Sequence, residues 1–232
     1  MCCDLITAPK NARVFSGSKN KNSIFTSTNS DYLSLVGSKT SIIGLSDYEI
    51  KSSTSDSAKD FYDQDRLVEK TRAPLKILDV HFFAQGLAAS IFIKKPKYSG
   101  SVLIGTNFFG WYVDNMDLIS LSISLSNKLS KEMKMKVGQN SLIIKDSFLD
   151  LTEKQFISLC LSSLNLNSKQ IGNYFGTRER AIDEIFIRIK NKIGFTGKSR
   201  KKLCELMVYE HGLHHYIPAR LILQSKDVSN FI

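Results

Sequence analysis

The sequence predicts an α+β domain, an antiparallel sheet with short helices, followed by a helical linker and an all-α domain of four helices. Three observations carry this. Residues 75–113 alternate apolar and polar positions in three successive runs, the pattern of half-buried strands. From Leu151 onward the apolar residues recur at spacings of three and four, the pattern of helices. Between the two, Leu118, Leu121, Leu125 and Leu129 form a narrow apolar seam at helical spacing.

In chain order, residues 1–22 are polar, rich in Ser, Asn and Lys, and lack periodicity, so a flexible N-terminus is expected. SIFTSTN then alternates like a strand, and DYLSLVG fits a short helix closed by Gly37. SAKDFYDQDRLVEKT sets Ala58, Phe61, Tyr62, Leu67 and Val68 against a charged side, which predicts one helix or two short ones. LKILDVHFFAQ and GLAASIFIKKP alternate around Gln85 and Gly86 as a hairpin does, and Ser99–Gly100 turns the chain into SVLIGTNFFGWYV. This first domain is read as residues 23–113.

Residues 114–150 are read as the linker, with Asp114 or Asn115 as helix cap and Gly138 at its end. Its leucine seam suits packing on its own domain, or pairing with its twin in a homodimer. The all-α domain covers 151–213 and opens with LTEKQ, a capping box in which Thr152 and Gln155 satisfy each other's backbone amides. Residues 214–232 are expected to be a tail with an apolar centre at Ile222 and Leu223.

Lys and Arg number 32 against 22 Asp and Glu, a formal charge of +10. That balance favours anionic partners, nucleic acid first. No apolar run approaches the roughly 18–20 residues of a membrane span, and MCCDLITAPKNARVF shows no secretory signal. Cys2, Cys3, Cys160 and Cys204 have no zinc-site spacing, which fits a reducing cytoplasm. His81 lies on an expected strand, and His211, His214 and His215 cluster at a helix end without a carboxylate or thiol at metal-ligand spacing. No catalytic triad, paired-acid motif or Gly-rich phosphate loop is present, so neither an enzyme nor a metal site is expected. No cofactor is expected either.

The stretch LTEKQFISLCLSSLNLNSKQIGNYFGTRERAIDEIFIRIKNKIG resembles the LuxR-type helix-turn-helix DNA-binding domain. The opening Leu-Thr, the scaffold helix with Lys169 and Ile171, and the run from Arg180 to Gly194 carry the resemblance. It implies that Ile182, Phe186, Ile189 and Ile193 bury against Ile171, Phe175 and Leu159, while the opposite face enters the major groove of double-stranded DNA. Base edges would be met near Asp183, Glu184 and Ile187. Lys169, Thr177, Arg180, Lys190 and Lys192 would hold phosphates, with Arg178 and Arg188 also on the DNA-binding surface. Two positions depart from the family: Asp183 stands where many members carry Lys, and Ala181 where Thr is usual. The acids have two readings. They select bases, for instance by accepting from cytosine N4–H, or they make helix salt bridges, Glu184 with Arg188 and Asp183 with Arg180.

The first domain is similar to PAS sensor domains through IIGLSDYEI, AKDFYDQDRLVEKTRAPL and LDVHFFAQGLAASIFIKKPKYSGSVLIG. Ser99–Ser101 stands where that family has an Asp-Gly turn. The resemblance implies a dimer platform or a cradle for a small ligand of unknown identity, with Phe61, His81, Phe92 and Phe108 as pocket residues. Together the two resemblances imply a cytoplasmic bacterial transcription regulator that binds a two-fold operator as a homodimer. An alternative is an interaction protein whose weakened head forms mixed dimers with a related regulator.

Overall fold

The computed structural model describes residue 8, residues 10–113 and residues 140–223. They fall into two compact units, residues 10–113 with 140–143, and residues 144–223. The leucine seam of Leu118, Leu121, Leu125 and Leu129 lies outside the described residues, as does most of the expected linker.

The first unit is an antiparallel sheet with helices. Strands β1 (Phe15–Asn20) and β2 (Phe25–Thr28) precede helix α1 (Ser30–Val36), whose last carbonyls are closed by Gly37 in the left-handed conformation. A 3-10 turn (Ser53–Ser57) leads into α2 (Ala58–Thr71). Then come β3 (Leu75–Phe83), β4 (Gly86–Ser99) and β5 (Val102–Val113), and after the linker β6 (Asn140–Lys145). The sheet order in this unit is β2-β1-β5-β4-β3-β6, every pair antiparallel. Phe15, Phe25, Leu35, Ile42, Phe83, Phe92 and Phe108 form its main core.

Two expectations are corrected here. The start of the chain was expected to be frayed through residue 22, yet Phe15–Asn20 is a strand paired along its length with β5, from Phe15 opposite Gly110 to Asn20 opposite Gly105. Its sequence FSGSKN hides this because the buried positions include Ser18 and Lys19, so no apolar alternation appears. The stretch read as helical linker contains β6, which pairs with β3 from Ile77 opposite Ile143 to Val80 opposite Asn140.

The second unit holds α3 (Glu153–Ser163), α4 (Ser168–Tyr174), α5 (Glu179–Ile193) and α6 (Arg200–Tyr209). The capping box at Thr152 and Gln155 is formed, with the Gln155 amide on Thr152 at 3.3 Å and the Thr152 amide on Gln155 at 2.9 Å. Beyond α6 the chain is not a loose tail up to Leu223. Tyr216–Pro218 forms β7 and Ala219–Leu223 forms α7, with Ile217, Leu221 and Ile222 buried.

Because Phe15 is buried in the main core at 1% exposure, Phe15→Ala should cost about 3–5 kcal/mol in a urea melt. A loss below about 1 kcal/mol, the size of an ordinary surface change, would show that β1 does not belong to the core.

Candidate functional site

There are two candidate sites, one in each unit. In the second, α4 and α5 are joined by a turn at Gly176, with a Thr177 amide bond to the Gly172 carbonyl at 2.8 Å. The helices come close there because residue 172 lacks a side chain: a Cβ on Gly172 would sit 2.7 Å from the Thr177 carbonyl oxygen. α4 is started by a second capping box, Asn167 with Gln170, both bonds at 2.9 Å. Its signature Asn-x-x-Gln is legible in the sequence.

Helix α5 buries Ile182, Ile185, Phe186 and Ile189. Ile193 and Phe175, expected in that core, are only partly buried. Ile185 joins it instead, at the edge of the same face. The opposite face is exposed and carries Arg180, Asp183, Glu184, Ile187 and Arg188. The Arg180 side chain is 91% exposed, and Ile187 is a large apolar residue 56% exposed. Thr177, Arg178, Arg180, Ala181 and Glu184 share one open hollow with Asn173 and Gly176. Lys169 is exposed on α4. At the far end of α5, Lys190 donates to the Lys198 carbonyl at 2.8 Å and Lys192 to the Asp150 carbonyl.

The acids part company. Glu184 lies between Arg180 at 3.6 Å and Arg188 at 4.0 Å, an exposed arrangement worth roughly 0.2–0.5 kcal/mol per pair. Asp183 does not pair with Arg180, as helical spacing had suggested. Its partners are Arg200 at 2.7 Å and Ser168 at 2.5 Å. No pattern at helical spacing announces a partner 17 positions along the chain.

The other candidate site is a small cavity in the first unit, about 30 Å³, room for about one water molecule. Phe61, Phe92 and Phe108 line it together with Tyr32, Phe83, Lys19, Asp47, Asp79 and Lys94. His81 does not. It is buried beside Phe61, with Nδ1 3.0 Å from Ser57 Oγ and Nε2 3.1 Å from Ser141 Oγ, which in turn donates to Asp79 at 2.5 Å.

Sequence reasoning missed the charges around this cavity. Asp65, 1% exposed on α2, accepts from Lys94 of β4 at 2.6 Å and lies 3.4 Å from Lys19 of β1. Ser23 donates to it at 2.9 Å, and Lys19 also pairs with Asp47 at 2.5 Å. Burial alone would raise Asp65, but the Lys94 and Lys19 ammoniums overcome it and hold its carboxyl below the usual aspartate range. Burial would likewise lower Lys19, and Asp47 and Asp65 outweigh it, so Lys19 is raised. Lys94 is lowered by burial in spite of Asp65, with Lys19 repelling it. Burial and the carboxylates of Asp47, Asp65 and Asp79 push the Tyr32 phenol well up, leaving it a neutral donor.

Among the described residues no group of three His, Cys, Asp or Glu comes together to hold a metal ion, and no helix is long and apolar enough to cross a membrane. Cys160 and Cys204 are buried free thiols, and burial pushes Cys160 up.

No family model matches the chain, and no curated protein matches it significantly. Among the solved structures it resembles are several of VqmA. A Vibrio cholerae VqmA–ligand–DNA complex is 26% identical over 92% of this chain and 90% of that one, with a TM-score of 0.43. The V. cholerae VqmA dimer without target DNA, described among LuxR-type receptors, is 26% identical over 92% and 89%, with a TM-score of 0.47. A phage VqmA–DPO complex is 28% identical over 91% and 89%, with a TM-score of 0.42. Superpositions below 0.5 do not fix a function, which rests on the chain's own residues.

Removing the shared carboxylate should be costly. Asp65→Ala leaves the buried Lys94 ammonium without its carboxylate and Lys19 with Asp47 alone, and should lower stability by roughly 3–5 kcal/mol in a denaturant melt. Asp65 has a folded pKa below its unfolded one, so its contribution is present above the ordinary aspartate range and is lost as pH falls through the folded value. The melting temperature of Asp65→Asn should therefore fall less steeply with acid than that of the parent. Parallel curves would contradict the assignment.

Proposed function

We propose that this chain is a DNA-binding transcription regulator, in which α4 and α5 form a helix-turn-helix and the exposed face of α5 enters the major groove. The observation that carries this is the two-sidedness of α5. One face is packed by Ile182, Ile185, Phe186 and Ile189, and the other offers Arg180, Glu184, Ile187 and Arg188 with little to hold them. Exposed guanidiniums beside an exposed Ile suit the groove, where Arg meets guanine or phosphate and an apolar side chain meets the thymine methyl. Glu184 can accept from cytosine N4–H, and its weak arginine contacts are readily exchanged for phosphates. The net charge of +10 supplies the general attraction to the duplex.

A homodimer would present two such helices to half-sites about 34 Å, or roughly 10 base pairs, apart. The leucine seam of the linker is proposed as its contact. The cavity of the first unit is the proposed entry for a modulating ligand. At about 30 Å³ it must widen to admit more than a water, and a ligand there meets phenyl rings, the Tyr32 hydroxyl and the Lys94 ammonium. A small aromatic molecule bearing a hydrogen-bond acceptor fits that lining.

Duplexes selected from a randomised pool test this reading. Arg180→Ala should weaken binding to all sequences alike and lower the slope of log affinity against log salt by about one unit. Unchanged affinity for every duplex would contradict the groove assignment. For the dimer, Leu125→Asp should bury an unpaired charge in the seam and shift sedimentation to the monomer. An unaltered dimer would remove the seam as the interface.

A further inference from the structure

We propose that Ser168, Asp183 and Arg200 form a clasp that positions α5 for DNA, so that Asp183 orients the helix instead of reading bases. This rests on the DNA-binding reading above and assigns one residue within it. Three helices meet at the clasp: Ser168 is the first residue of α4, Asp183 lies on α5, and Arg200 is the first residue of α6. One carboxylate oxygen, Oδ1 of Asp183, accepts from both Ser168 Oγ at 2.5 Å and Arg200 Nη2 at 2.7 Å. Arg200 also donates to Ser168 Oγ, which closes the triangle. The guanidinium is fixed from below as well, with its carbon 4.2 Å from the centroid of the buried Phe186 ring.

Each of these contacts constrains a different freedom. The stacking on Phe186 sets the height of the guanidinium over α5, and the two hydrogen bonds set the rotation of α5 relative to the start of α4. With Oδ1 held by a guanidinium and a hydroxyl, the direction of the carboxylate is set by the clasp and not by a base. The pairing also places a cation beside an acid that would otherwise stand unbalanced opposite phosphates. Glu184, by contrast, has only exposed contacts at 3.6 and 4.0 Å and is free to turn toward the groove. The two adjacent acids thus have separate work.

The test uses the full chain, duplexes selected by the parent from a randomised pool, and Asp183→Asn, Arg200→Ala and the double variant. Each single change should weaken the best duplex roughly tenfold, the effect of losing a charge-assisted hydrogen bond, and leave the preferred base at every position as in the parent. The double variant should bind no worse than the weaker single one and melt no lower than the lower single one, because the two side chains act through one contact. An altered base preference in Asp183→Asn would make Asp183 a base reader. Uniform tightening would make it a repeller of the backbone, and unchanged affinity would leave it without a role. Additive losses in the double variant would show that the two residues act apart. Any of these overturns the clasp. A parent that selects no duplex overturns the DNA-binding reading itself, and the clasp's role with it, before any substitution is compared.

Discussion

The closeness of two helices at one carbonyl governs what the second unit can do. Gly172 lets α4 lie against the turn before α5, and a Cβ there would come within 2.7 Å of the Thr177 oxygen. Real Cβ atoms do not approach a carbonyl so closely, so any side chain would push α5 away. The direction of α5, and with it the placement of Arg180, Glu184 and Ile187, follows from this contact. Ser168 and Arg200 also tie α5 to its neighbours through Asp183, and the Asn167–Gln170 capping box fixes where α4 begins. Packing by Ile182, Phe186 and Ile189 then supplies most of the stabilisation, as burial of an apolar helix face generally does.

The first unit depends on a different constraint. Its small cavity is walled by phenyl rings and floored by buried charges. Such charges persist only while each has its partner, since an unpaired buried ion costs several kcal/mol. Asp65 joins α2 to β1 and β4 through Lys19 and Lys94. Lys94 donates to Asp65 and to the Phe61 carbonyl, while burial and Lys19 both work against its charge. An acceptor brought to it would gain a charged donor, and that is the physical ground for proposing this cavity as a ligand site.

The sequence made legible what is periodic and local. The three strands from Leu75 to Val113 show their alternation, the helix Ala58–Thr71 shows its apolar side, and Thr152 with Gln155 announces the start of α3. Strand β1 was hidden because Lys19 and Ser18 are buried, and burial of a lysine is decided by carboxylates 28 and 46 residues away. Strand β6 was hidden by its brevity next to a helical pattern. On the candidate interface, the exposed basic face of α5 could be read from spacing, whereas the partner of Asp183 could not. Helical spacing pointed to Arg180, and the fold brought Arg200.

The central claim is that the exposed face of α5 meets DNA in the major groove, and the most direct measurement is methylation interference on a selected duplex. Guanine N7 lies in the major groove and adenine N3 in the minor groove, so dimethyl sulfate distinguishes them. The account predicts interference at guanine N7 in two clusters about 10 base pairs apart, one for each helix of a dimer. Interference confined to adenine N3, or none at any guanine in a duplex that is bound, would contradict it.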